Sequence, residues 1–200
     1  MRLAIDVDGV IANFTASWAE MAIRIGNPKA RVIPNEEIEC WRWPQVQLGL
    51  TDEETNDVWE ALKDAYNWWM TLRPLISPEE IDVLNGMIGE HDVYFITTRV
   101  RTLGLSAETQ TRYWLESIGL HISKRAGVIA TRAGTKGQLA RGLDLDVALD
   151  DSPDNLWEYA DAGLFSVARA WRYNWPWTPD VTNLHAFKLL IDRFGKEGRQ

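Results

Sequence analysis

The stretch Leu3-Ala4-Ile5-Asp6-Val7-Asp8-Gly9 decides how the rest of this 200-residue chain is read. Residues 3–7 form a short run that looks buried, and Asp8-Gly9 ends it as a turn does. It predicts a first strand that carries two carboxylates at its carboxyl end. Downstream, Phe14, Trp18, Met21, Ala22 and Ile25 recur at helical spacing before Gly26, so the spacing predicts an amphipathic helix over 14–25. Residues 27–49 hold Pro28, Pro34 and Pro44, which limits regular structure there to short pieces. Thr51 and Glu54 have the spacing of a capping box, opening a helix to about residue 66. Ser77-Pro78-Glu79-Glu80 opens another that runs to about residue 90, with proline at its first position.

Beyond that point strand and helix signals alternate. Strands are expected at 93–97, 128–130, 147–149 and 165–168, and helices near 107–118, 136–141, 153–162 and 183–194. Alternation of this kind implies parallel strands joined by helical crossovers, hence an open α/β sheet of Rossmann-like type with helices on its faces. Ligands of such sheets sit beyond the carboxyl ends of the strands. Those ends carry Asp6 and Asp8, Thr97 and Thr98, and Asp150 and Asp151. Four carboxylates meeting in one crevice repel one another strongly unless a cation offsets them. Oxygen-only ligands suit Mg²⁺, which keeps several waters and leaves room for phosphate oxygens.

Composition sets the outer bounds. Hydrophobic residues are 46% and charged residues 25%, ordinary globular values that exclude a largely disordered chain. A length of 200 residues fits one domain, or one domain with a sizeable insertion. The formal net charge of −8 repels nucleic acid and anionic membrane, so any phosphate ligand has to be drawn in locally. From residue 117 to 143 no acidic residue occurs, while Lys124, Arg125, Arg132, Lys136 and Arg141 reverse the field; this stretch is either a steering surface or a solvated basic face. The lone Cys40 excludes an intrachain disulfide and fits a reducing compartment. Asp6 and Asp8 interrupt what would be a signal peptide, and charges break every apolar stretch short of a membrane span, so a cytoplasmic protein is expected.

Asp6-Val7-Asp8-Gly9-Val10-Ile11-Ala12-Asn13-Phe14 resembles the first motif of the haloacid dehalogenase (HAD) superfamily of phosphotransferases, in the form seen in 5′(3′)-deoxyribonucleotidases. The superfamily's other motifs follow in order: Phe95-Ile96-Thr97-Thr98-Arg99, a strand ending in Thr; Lys136 at a helix start; and Asp150-Asp151-Ser152-Pro153 after a strand. The resemblance implies a HAD-type core over 1–13 and 76–200, with a small helical cap over 14–75 inserted after the first strand. It further implies that Asp6 is the nucleophile, that Asp8 is general acid and then base, and that Asp6, Asp8 (through its carbonyl), Asp150 and Asp151 surround Mg²⁺, with Asp151 acting as a partner that orients the bound water or Lys136. Thr97 or Thr98, Lys136 and Arg99 would grip the phosphoryl group; Lys124 competes with Lys136 for its role. Ser152 or Asp151 also suits the N-cap of the helix opening at Pro153.

Substrate identity depends on the inserted segment. Six of the eleven tryptophans lie there, Trp18, Trp41, Trp43, Trp59, Trp68 and Trp69. Flat aromatic faces stack on nucleobases, and Phe14 occupies the position resembling the family's base-stacking Phe; Phe14, Trp41, Trp43 and Trp69 are therefore the candidate substrate contacts, with plain core packing as the other reading. Thr97-Thr98-Arg99 stands where deoxyribonucleotidases carry Thr-Ser-Pro. The function expected is a Mg²⁺-dependent phosphomonoester hydrolase, a 5′-nucleotidase acting on (deoxy)nucleoside monophosphates through an aspartyl-phosphate. The alternatives are the same chemistry on a sugar phosphate or polynucleotide end, and a nucleotide-binding protein without turnover. No membrane or nucleic-acid partner is expected, and a homodimer is left open. The stretch Trp171-Arg172-Tyr173-Asn174-Trp175-Pro176-Trp177 borders the site, covers the core or forms a dimer surface; the sequence does not choose among these.

Overall fold

The structure is a computed structural model that describes residues 1–122 and 125–197. Among the described residues the sheet has six parallel strands: β1 (Arg2–Ile5), β2 (Asp92–Thr98), β3 (Ala126–Thr131), β4 (Val147–Asp150), β5 (Phe165–Arg169) and β6 (Asp180–Val181). Their order is β3-β2-β1-β4-β5-β6. The chain therefore winds one way from β1 to β3 and the other way from β4 to β6, so the crevice of the switch point opens between β1 and β4. In β1, Leu3, Ala4 and Ile5 are fully buried, as the central strand of a sheet covered on both faces requires.

The helices are α1 (Phe14–Arg24), α2 (Trp43–Val46), α3 (Asp52–Asp64), α4 (Pro78–Glu90), α5 (Ala107–Ser117), α6 (Lys136–Gly142), α7 (Pro153–Asp161) and α8 (Leu184–Glu197). Local chemistry starts them where the sequence indicated. Thr51 and Ser77 both form complete capping boxes with Glu54 and Glu80, and Ser152 caps α7 by accepting from the Asn155 N–H. The short strand β6 was not expected, because two residues without an apolar run carry no periodic signal.

The segment from α1 to the 3₁₀ turn at Trp68–Met70 leaves the sheet after β1 and returns before α4. Its entry and exit are pinned together, with the Asn13 N–H donating to the Arg73 carbonyl at 2.9 Å and the Leu75 N–H to the Ile11 carbonyl at 2.7 Å. Its buried side chains are aromatic and aliphatic, Trp18, Trp43, Trp68, Trp69, Val58 and Leu62, and they are continuous with the core that covers the sheet. No helix among the described residues is long and apolar enough to cross a membrane.

Candidate active site

Register places the first acidic pair. Ile5 pairs with Leu149, and the Asp6 N–H donates to the Leu149 carbonyl at 2.9 Å, so Asp6 and Asp150 leave adjacent strands side by side. Asp8 follows on a turn that Gly9 completes at φ +76°. A side chain there is excluded twice over, since a Cβ on Gly9 would lie 2.0 Å from Asp151 Oδ2 and that φ suits glycine.

Lys136 is the first residue of α6 and is almost wholly buried. Its Nζ donates to Asp6 Oδ1 at 2.8 Å and to Asp150 Oδ2 at 2.7 Å. A cation at a helix N-terminus opposes the helix dipole, but two ion pairs at this range in a buried setting outweigh that term. Burial works against the ammonium, yet Asp150 and Asp6 together hold its pKa well above the ordinary lysine value. Helix α6 comes this close because residue 137 is glycine: a Cβ there would lie 2.3 Å from the Glu158 carbonyl oxygen on α7. The other oxygen of Asp150 accepts from the Ser152 N–H at 2.9 Å and from Asn155 Nδ2 at 3.0 Å.

Asp8 is held differently. Arg99 grips it bidentately, Nη2 to Oδ1 at 2.7 Å and Nε to Oδ2 at 2.9 Å, and the Thr97 hydroxyl adds a third donor to Oδ2 at 3.0 Å. The remaining nitrogen, Nη1, donates to Thr111 Oγ1 at 2.8 Å, and the guanidinium lies 4.6 Å from the centre of the Trp69 ring. Every nitrogen of Arg99 is thus engaged behind the crevice.

Asp6, Asp150 and Asp151 each present a carboxylate oxygen within 4.8 Å of the others. Burial pushes the Asp6 carboxyl well above the usual carboxylate range against the pull of Lys136, and Asp150, Asp151 and Asp8 add to the rise. Burial, then Asp150, push Asp151 up to about 7, against a hydrogen bond from Tyr173. Counting Asp8, four carboxyl groups meet Lys136 and Arg99 among the described residues, a formal excess of two negative charges. A divalent, oxygen-seeking cation matches both that charge and that donor set.

Asp6, Asp8, Thr97, Thr98, Lys136 and Asp151 line one end of a cavity of about 360 Å³, and Phe14, Trp41, Trp43 and Trp69 line the other. The expected site residues are therefore brought together, with Asp150 and Arg99 standing just behind the lining. Of the paired threonines, Thr97 is fully buried and Thr98 exposed. The aromatic residues differ in what they offer. Trp43 is buried edge-on to Trp18, and Trp69 donates its indole N–H to the Val100 carbonyl while Arg99 covers its ring. Phe14 lies nearly parallel to both Trp59 and Trp69, with centroids 5.8 and 6.1 Å away. Trp41, by contrast, is 58% exposed at the mouth of the cavity. In the basic stretch Arg125, Arg132 and Arg141 are exposed and Lys136 alone enters the site; Lys124 lies outside the described residues. Sequence reasoning missed Asn155 and Tyr173. Asn155 sits on the first turn of the helix after the acidic pair, a signal that could have been used; Tyr173 lies in the aromatic stretch 171–177, for which bordering the site was one of three readings and no single residue stood out.

The family model for the cytosolic type C deoxy (pyrimidine) 5′ nucleotidase protein matches residues 1–171. This chain belongs to that family. The match takes in all the carboxylates and Lys136 and stops at Trp171, before the turn that carries Tyr173. No curated protein matches the sequence. Among solved structures, a haloacid dehalogenase-like hydrolase of Streptococcus pneumoniae superposes with a TM-score of 0.56 at 12% identity, covering 95% of this chain and 97% of that one. A HAD-superfamily hydrolase of Geobacter sulfurreducens gives 0.58 at 12% identity, with 95% of each chain covered. A HAD-hydrolase of Bacillus subtilis bound to magnesium gives 0.56 at 13%, covering 96% and 98%. These likenesses establish the Rossmann-like HAD fold, and the family match makes the chain a HAD-type phosphatase.

Proposed function

We propose that this protein hydrolyses the phosphate ester of (deoxy)nucleoside 5′-monophosphates, with Asp6 as nucleophile, in the cytoplasm. The observation that carries the reading is the cavity itself, which joins Asp6 and Asp8 at one end to an exposed tryptophan and Phe14 at the other. A phosphate at the charged end leaves a nucleoside facing aromatic surface.

Lys136 occupies Asp6 Oδ1, so Oδ2 is the oxygen that attacks phosphorus. The P–O ester bond breaks as the new bond forms, and the nucleoside oxygen leaves with a proton from Asp8. Covalent capture on Asp6 splits one slow displacement into two. Water then attacks phosphorus and gives its proton to Asp8, releasing inorganic phosphate and restoring Asp6. Three donors meet the two oxygens of Asp8 and hold its carboxyl group in place for the second step. The first step requires it to exchange the Arg99 contact for the leaving oxygen while carrying a proton. Lys136 and the Thr97–Thr98 strand end line the space where the phosphoryl oxygens lie, and positive charge there favours the transition state.

Asp6, Asp150 and Asp151 would hold Mg²⁺ through their carboxylates, with the Asp8 carbonyl as the resemblance implies, and the ion would supply charge neutralisation for the phosphoryl oxygens. Residues 14–75 act in this reading as a cap whose aromatic wall selects the nucleoside, with Trp41 as the stacking face that packing leaves open. The test is phosphate release from a panel of ribo- and deoxyribonucleoside 5′- and 3′-monophosphates, with and without Mg²⁺, using Asp6→Asn as control. Metal-dependent turnover of a subset supports the reading. Turnover of a generic aryl phosphate with none of any nucleotide keeps the chemistry and removes the substrate.

A further inference from the structure

After β5 the chain makes a 3₁₀ turn over Arg172–Asn174, and Tyr173 on this turn lines the cavity. Trp171 Nε1 donates to the Gly9 carbonyl at 2.8 Å, on the turn that carries Asp8. Tyr173 donates its phenol O–H to Asp151 Oδ2 at 2.5 Å, and its ring meets Trp41 edge-on at 5.7 Å. Asn174 is buried, and its Nδ2 donates to the carbonyls of Asp151 and Arg169 at 2.9 and 2.6 Å. The turn thus holds residue 151 at both its backbone and its side chain.

We propose that Tyr173 is a positioning residue that fixes the Asp151 carboxylate for cation binding. This rests on the reading of Asp6, Asp150 and Asp151 as the cation-holding group. A carboxylate is free to swing about its last torsion unless something pins an oxygen. Here the phenol pins Oδ2, and the backbone of Gly9 closes the same side, where even a methyl group would clash. Oδ1 accepts no hydrogen bond among the described residues, so one oxygen is held and the other is presented. A phenol donating to a carboxylate at this range is a short, charge-assisted bond. The Tyr173 ring is itself fixed between Trp41 and the Asn174 anchor, so little of its freedom remains to be lost when the cation binds. Outer partners of metal-ligating carboxylates typically change metal affinity by about 10–100-fold when removed.

The experiment is isothermal titration of Mg²⁺ into the full chain, comparing wild type with Tyr173→Phe, Asp151→Asn, the double variant and Arg172→Gln, alongside the melting temperature of each. Tyr173→Phe keeps the ring against Trp41 and removes only the hydroxyl. It is expected to weaken Mg²⁺ binding about 10-fold with an unchanged melting temperature. In the Asp151→Asn background the same change is expected to do less than about twofold, because the phenol acts through that carboxylate. Arg172→Gln breaks the exposed 3.4 Å pair with Glu39 and is expected to bind Mg²⁺ as wild type does. Wild-type affinity in Tyr173→Phe overturns the proposal alone, as does an equal loss in Arg172→Gln, which would assign the effect to the turn. A wild-type chain that takes up no Mg²⁺ overturns the cation reading, and the proposal with it.

Discussion

The two ends of the cavity are built by different means. At the charged end every functional group leaves the carboxyl edge of a strand or the first turn of a helix, and ladder register sets its position: Asp6 beside Asp150, Thr97 one strand over. At the aromatic end, α1, α3 and the Trp68–Met70 turn supply rings that mostly satisfy one another. A parallel sheet fixes atoms well enough for bond-making, whereas a small helical insert fixes shape and apolar surface. The comparison teaches that changes at the first end should appear in kcat, and changes at the second in KM and substrate choice.

The strongest attempt to break that division is Asp6→Asn, for which phosphate release is expected to fall about 10⁴-fold or more while circular dichroism stays that of the wild type. Retention of more than a tenth of the activity would mean the chemistry lies elsewhere. Next is Arg99→Lys, which replaces a bidentate fork with a single point charge beside Asp8. Here kcat should drop about 10²-fold with KM nearly constant; a rise in KM at constant kcat would instead make Arg99 part of the grip on substrate. For Trp41→Ala the pattern reverses. Stacking of about 1–3 kcal/mol per base predicts a KM about 10-fold higher for nucleotides and an unchanged KM for an aryl phosphate. Equal losses on both would place Trp41 in packing.

The smallest effect belongs to neither end and sets the baseline for pH studies. Burial, helped by the ammonium of residue 1 and by Lys188, lowers the His91 pKa below its ordinary value despite Glu90 and Asp192 nearby. The unfolded chain therefore binds more protons below about pH 6.5, so stability is complete above that pH and declines as pH falls towards the folded value. Each kcal/mol lost should lower the melting temperature by about 2–4 °C. His91→Gln should flatten the slope between pH 7 and pH 5, and an unaltered slope would assign it to other groups.

Asp6, Asp8, Asp150 and Lys136 were legible because each sits at an element boundary that local chemistry marks: a buried run ending in Asp-Gly, a strand ending in an acidic pair, a helix start. Arg99 was legible as a residue but not as a partner of Asp8. Its direction depends on Thr111 and Trp69, brought to it from α5 and from the insert. The tryptophans show the same limit. Sequence counts them, while only packing separates Trp43 and Trp69, whose faces are taken, from Trp41, whose face is open.

What the sequence determined by itself was the α/β alternation, the strand ends and the charge collected there, since periodicity and capping act over a few neighbouring residues. What the tertiary structure decided was the β3-β2-β1-β4-β5-β6 order that puts the crevice between β1 and β4, the ammonium shared by Asp6 and Asp150, and the seat of Tyr173 on Asp151. Those contacts join residues 14 to 130 positions apart, and their energies come from burial and distance, which exist only once the chain has folded.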